Sequence, residues 1–151
     1  MEHKIVTLPA FTVVGMDYLV RGSVEGIGQL WDRFIPREQE IVDRTELDVA
    51  YGLCSVCQDG TVRYVAGLPV SADASVPEGM VKFEVPAQKY VVFTHRGVVA
   101  QIGESFQAIH SRLLAARGLR TRPGVEFERY DARFIGPDDP ESETDLYIPI
   151  E

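Results

Sequence analysis

The chain has 151 residues, of which 45% are hydrophobic and 25% charged, a balance that describes a globular domain with a core and not a disordered or membrane-spanning polypeptide. A formal net charge of -8 argues against a nucleic-acid backbone as the main partner, because phosphate binding needs a basic patch. Met1-Glu2-His3-Lys4 lead into a short apolar run without a signal-peptide core, and no segment reaches the length of a bilayer span, so a cytoplasmic protein with no membrane partner is expected.

Residues 5–20 read as a strand, bent where Pro9 and Gly15 interrupt it. Ile27, Leu30, Trp31 and Phe34 follow at i, i+3, i+4 and i+7, one apolar helical stripe, and Pro36 ends it. After a polar stretch at 37–48, strands are expected at 49–57 and 61–70, joined by a hairpin turn at Asp59-Gly60. Cys54 and Cys57 form a lone C-x-x-C in the first of these strands. Residues three apart on a regular strand point to opposite faces, so the pair is set aside as two small strand residues, with no metal and no cofactor expected.

The second half repeats the order. An extended segment at 81–94 leads through Arg96-Gly97 to a helix marked by Ile102, Phe106, Ile109 and Leu113, with Gly118 where a C-terminal cap belongs. Strands at 123–130 and 144–150 close the chain, and Leu146-Tyr147-Ile148-Pro149-Ile150 echoes Ala66-Gly67-Leu68-Pro69-Val70. The expected fold is therefore α+β: two strand-helix-strand-strand units, pseudo-repeats of about 1–76 and 80–151 of a single domain, each burying its helix against one sheet face and leaving the other face to line a shared groove. Pro77-Glu78-Gly79 is the joint between them, and the acidic connector at 137–143 reads as the most mobile loop.

Alternation in the last two strands assigns Val125, Phe127, Leu146, Ile148 and Ile150 to a core. It places Glu126, Glu128, Tyr130, Asp145 and Tyr147 together on the opposite face of one sheet. Carboxylates beside aromatic rings suit a cation carried on an apolar body, since the charge meets an acid and the body meets π-faces.

Tyr90-Val91-Val92-Phe93-Thr94-His95-Arg96-Gly97, the helix after it and the two closing strands resemble the GyrI-like domain, also called the AraC-type effector-binding domain. Leu30-Trp31-Asp32-Arg33-Phe34 and Tyr51-Gly52-Leu53 extend the resemblance over nearly the whole chain. It implies a duplicated strand-helix-strand-strand fold, a concave antiparallel sheet with helices on one side, with a groove for amphipathic, often cationic, small molecules, and a functional acid at Glu128. Relatives of this kind occur fused to helix-turn-helix regulators, as free-standing binding proteins, as a gyrase-inhibiting protein and as hydrolases that open strained cyclopropane rings. No DNA-reading helices precede the domain, so the expectation is a stand-alone sensor or sequestering protein that contacts no nucleic acid directly; an oligomer or partner protein is left open.

Glu128 is expected to supply the charge complement, and Tyr147 a ring and a hydroxyl. Asp145 is a shorter acid on the same face, and Tyr130 points into the groove or caps its strand. Trp31 and Phe106, on the two helical stripes, and Tyr51, in the core phase of Phe127, would be apolar walls. Glu126 reads as solvated. The three histidines, His3, His95 and His110, are scattered and form no visible triad, and no G-x-S-x-G occurs. The alternatives are a hydrolase in which Glu128 acts as general acid or base on a strained electrophile, and a protein-binding modulator that uses an outer surface.

Overall fold

A computed structural model describes residues 1–21 and 25–151. Their strands are β1 (His3–Leu8), β2 (Phe11–Val20), β3 (Ala50–Val56), β4 (Val62–Val70), β5 (Val81–Val85), β6 (Gln88–Arg96), β7 (Glu126–Tyr130) and β8 (Glu143–Pro149). All pair antiparallel in one sheet of order β1-β6-β8-β7-β3-β4-β2-β5. Helix α1 (Glu25–Phe34) runs into a 3-10 segment, Ile35–Glu40, and α2 (Ile102–Ala108) follows a 3-10 turn, Val99–Gln101. Among the described residues no helix is long and apolar enough to cross a membrane.

The sheet corrects the sequence reading at its two longest extended segments. Each breaks at a proline, Pro9 or Pro86, which lacks the N–H that would continue a ladder and fixes φ at a corner. The freed arms are exchanged: β1 pairs with β6 of the second half, and β5 pairs with β2 of the first. The pairing registers of the halves then match. Tyr51 faces Gly67 as Phe127 faces Tyr147, and Val13 faces Pro69 as Tyr90 faces Pro149. The carbonyls of both prolines accept a backbone N–H at 3.0 Å, from Thr45 and Arg122 respectively.

Three apolar clusters divide between the two faces. Leu30 and Phe34 of α1 pack with Val14, Tyr64, Ala66 and Leu68, while Ile102 and Ile109 pack with Val91, Phe93, Leu146 and Ile148 on the same side of the sheet. The opposite face buries Val13, Tyr51, Leu53, Val65, Tyr90, Phe127 and Tyr147, with Leu8, Phe11 and Phe83 against them. In a flat sheet β2 and β7, three strands apart, would lie about 14 Å from each other. The Phe11 and Phe127 rings are 5.6 Å apart, so side chains of strands that are not neighbours pack together across the concave face and bury it. That face, expected to be an open groove, is a core.

The apolar stripe of α1 is as the spacing predicts. In the second helix the phase shifts, because Ile109–Leu113 is π-helical and inserts one residue into the repeat. Leu114 therefore takes the buried position, 4% exposed, and Leu113 is only half-buried. Gly118, at φ 67°, ends the helix with Gly118 N–H donating to the Ala115 carbonyl and Leu119 N–H to that of Leu114, a Schellman pattern. The acidic connector is tied down: the Ser142 hydroxyl accepts from the N–H groups of Ile135 and Gly136 and donates to the Gly136 carbonyl.

Candidate functional site

The ladder places Glu128 at the middle of the sheet, opposite Gly52 on β3 and Leu146 on β8. The matched registers make Gly52 and Glu128 equivalent positions of the two halves, so the pair lies on the axis that relates them. The difference between them creates the site. A Cβ at Gly52 would stand 2.7 Å from Glu128 Oε1 and 2.0 Å from the Tyr64 hydroxyl, so glycine here leaves room for the acid and its partner.

Glu128 is 9% exposed on the helix-bearing face. Tyr130 donates to its Oε1 at 2.6 Å and Tyr64 donates to the same oxygen at 2.9 Å. Trp31 of α1 donates Nε1–H to the Tyr64 hydroxyl at 3.0 Å, while its ring meets Tyr130 edge-on at 5.6 Å and Phe34 at 6.0 Å. Phe134 extends the aromatic wall, 4.9 Å from Tyr130. The next rung of the ladder carries Tyr18, Tyr64, Cys54 and Glu126. His110, from the π-helical segment, pairs with Glu126 at 2.8 Å.

Burial is the dominant influence on Glu128 and raises its carboxyl above the usual carboxylate range; the hydrogen bonds from Tyr130 and Tyr64 act in the opposite sense without cancelling it. Burial followed by proximity to Glu128 pushes the Tyr64 and Tyr130 phenols well up, so both are neutral donors, and the same two influences raise the Cys54 thiol. Among the described residues no basic side chain is paired with Glu128. The site is an acid held in aromatic surroundings by neutral hydroxyls.

Of the residues singled out from sequence, the structure brings Trp31 and Tyr130 to Glu128. Tyr147, Asp145 and Tyr51 lie on the opposite face, because Phe127 pairs with Tyr147 and Arg129 with both Tyr51 and Asp145. Tyr147 stacks on Phe127 with ring centroids 4.4 Å apart in the concave core, and Tyr51 sits 5.5 Å from the same ring. Asp145 accepts from Thr94 at 2.7 Å and from Arg133 at 2.6 Å, a structural ion pair. Phe106 shares the helix-bearing face but is half-buried against the cluster under α2. Two open surface depressions, of about 180 and 490 Å³, lie elsewhere, and neither is lined by Glu128. Sequence reasoning missed Tyr64 and the role of Gly52. The signal for Tyr64 was available: a tyrosine in phase with Ala66 and Leu68 on a buried strand must find a partner for its hydroxyl.

Chemically, the arrangement can complement a cation on an aromatic or apolar body, or hold and release a proton at Glu128. Among the described residues no group of His, Cys, Asp and Glu is arranged to hold a metal ion. A family description, integron-associated effector binding protein, matches residues 4–150. The chain is 57% identical over 150 residues to the transcriptional regulator BrlR of Pseudomonas aeruginosa, and spans 99% of itself but 56% of that relative. In fold it is similar to SAV2435 bound to tetraphenylphosphonium (TM-score 0.77, 19% identity, covering 100% of this chain and 94% of the other). It is also similar to an integron cassette protein from the mobile metagenome of Vibrio cholerae (TM-score 0.67, 18% identity, covering 99% and 95%). With the family description spanning almost every residue, the chain belongs to the integron-associated effector-binding proteins, a GyrI-like family.

Proposed function

We propose that the whole chain acts as one binding domain for small aromatic or amphipathic cations, as a sensor or sequestering module, with Glu128 as the charge complement. Trp31, Tyr64, Tyr130 and Phe34 supply the rings. The observation that carries this reading is a buried carboxylate whose partners are two neutral phenols and no cation. An uncompensated charge of that kind costs stability in the free protein and is relieved when a ligand brings the opposite charge. The tetraphenylphosphonium found in SAV2435 is a ligand of this chemical type.

Trp31 is the single tryptophan of the sequence and touches both tyrosines, so its fluorescence reports the site. The test is a titration with tetraphenylphosphonium and with neutral triphenylphosphine oxide, on the wild type and on Glu128→Gln. A cation about 5 Å from the carboxylate at an effective dielectric near 20 gains about 3 kcal/mol, on the order of a hundredfold in Kd. The expected result is that the wild type prefers the cation and that Glu128→Gln loses most of this preference. Equal affinities for both probes in the wild type would sink the electrostatic assignment.

The raised proton affinity of Glu128 beside two hydroxyls also favours a second reading, general acid/base opening of a strained electrophile. That reading requires product beyond one equivalent per protein and loss of turnover in Glu128→Gln with binding partly retained.

A further inference from the structure

We propose that Ser105 and His95 form a second, nucleophilic site that takes small activated esters, remote in role from Glu128. His95, near the end of β6, is 4% exposed. Its Nε2 lies 3.0 Å from the Val98 carbonyl and its Nδ1 2.7 Å from the Ser105 hydroxyl on α2. A carbonyl oxygen can only accept, so in the neutral ring Nε2 carries the hydrogen and Nδ1 accepts the Ser105 O–H. The result is a nucleophile bonded to a base whose tautomer and orientation are set by a third group, the geometry that activates a serine.

The backbone is shaped for this contact. Gly97 has φ 144°, which lets the strand end fold back so that Val98 reaches the imidazole, and its N–H is anchored to the Ser142 carbonyl at 2.9 Å. A Cβ at Gly97 would lie 3.5 Å from Nε2, so the turn packs directly on the ring. Ser105 is half-buried and, with His95, lines the surface depression of about 490 Å³, which a small acyl group fits. Gln101 lines the same depression and carries an N–H donor for a developing oxyanion, Arg96 at its edge is paired with Glu141, and Glu104 there disfavours an anionic acyl group. The preferred substrates are therefore neutral or cationic short-chain esters with a good leaving group.

In the step itself, Ser105 Oγ bonds to the ester carbonyl carbon and its proton passes to His95 Nδ1. The tetrahedral adduct collapses, the carbon–oxygen bond to the leaving alcohol or phenol breaks, and the proton on Nδ1 goes to that oxygen. Water then attacks acyl-Ser105 with the same proton transfers, releasing the acid and restoring the hydroxyl.

The test is labelling with a fluorophosphonate probe, which reacts preferentially with activated serines, together with hydrolysis of p-nitrophenyl acetate. The wild type should take one probe, mapped by mass spectrometry to Ser105, about a hundredfold faster than His95→Gln, the usual contribution of a general base. Ser105→Ala removes a single hydroxyl, should melt close to the wild type by circular dichroism, and should take no probe and release no more p-nitrophenol than buffer. Labelling of the wild type no faster than Ser105→Ala, or an adduct mapped to another residue, would overturn the proposal. If His95→Gln fails to fold, the Ser105→Ala comparison decides alone.

Discussion

Replacing Gly52 with alanine tests the architecture of the Glu128 site without removing any of its functional groups. The new Cβ would sit 2.0 Å from the Tyr64 hydroxyl and 2.7 Å from Glu128 Oε1, both far inside van der Waals contact. Tyr64 is 1% exposed and packed into the cluster under α1, so its ring cannot swing freely. Overpacking of this kind costs about 1–3 kcal/mol, and leaving the buried Tyr64 and Glu128 groups without their bond about 1–3 more. The lower unfolded-state entropy of alanine returns roughly 0.5–1 kcal/mol, leaving a net loss of about 3. At roughly 2.1 cal/mol/K per residue, a chain of this size should lose about 9 °C in Tm. The assay is thermal melting by circular dichroism with Trp31 fluorescence recorded alongside, because the Trp31–Tyr64 bond should break with the Tyr64–Glu128 bond. Gly28→Ala in α1 is the control: its Cβ meets nothing within 4 Å, and it should stabilise by about 0.5–1 kcal/mol as helix propensity dictates. A Gly52→Ala protein melting within about 2 °C of the wild type, under 1 kcal/mol, would refute the claim that glycine makes room for the acid.

Two further outcomes follow from packing and titration. The folded protein holds the Glu128 proton more tightly than the unfolded chain, so the stabilising contribution of the neutral carboxyl is full below the ordinary carboxylate pKa and is lost as pH rises through the raised folded value. The stability of the wild type relative to Glu128→Gln should therefore fall over that window and then level off, by urea melts at each pH; a difference that grows with pH would identify Glu128 as a structural ion-pair member. Leu114→Ala should cost about 3 kcal/mol and Leu113→Ala less than about 1.5, because the π-helical insertion puts Leu114 in the core. The reverse order by denaturant unfolding would restore an uninterrupted helical repeat.

Much of the architecture is local and so was legible. The stripe of Ile27, Leu30, Trp31 and Phe34 needs only the 3.6-residue period, the Asp59-Gly60 turn only its own chemistry, and the double unit only the recurrence of element order. Alternation with Phe127 set Glu126 and Glu128 on the other face of their strand, and the resemblance to GyrI-like domains singled out Glu128 between them.

What local pattern could not supply is how one strand sits against the next. Alternation along β7 and along β8 fixes two faces for each strand, but a shift of one residue between them exchanges every side chain. The observed register sets Phe127 against Tyr147 and Glu128 against Leu146, which sends Tyr147 and Asp145 to the concave core and leaves Glu128 among Trp31, Tyr64 and Tyr130. The breaks at Pro9 and Pro86 were equally undecided, since a proline marks a corner without saying which strand the freed arm will join. Composition, period and turn chemistry determined the elements, and the family resemblance pointed to the acid. Long-range pairing, worth nothing to any one strand until its neighbour is in place, decided which face that acid occupies and which rings surround it.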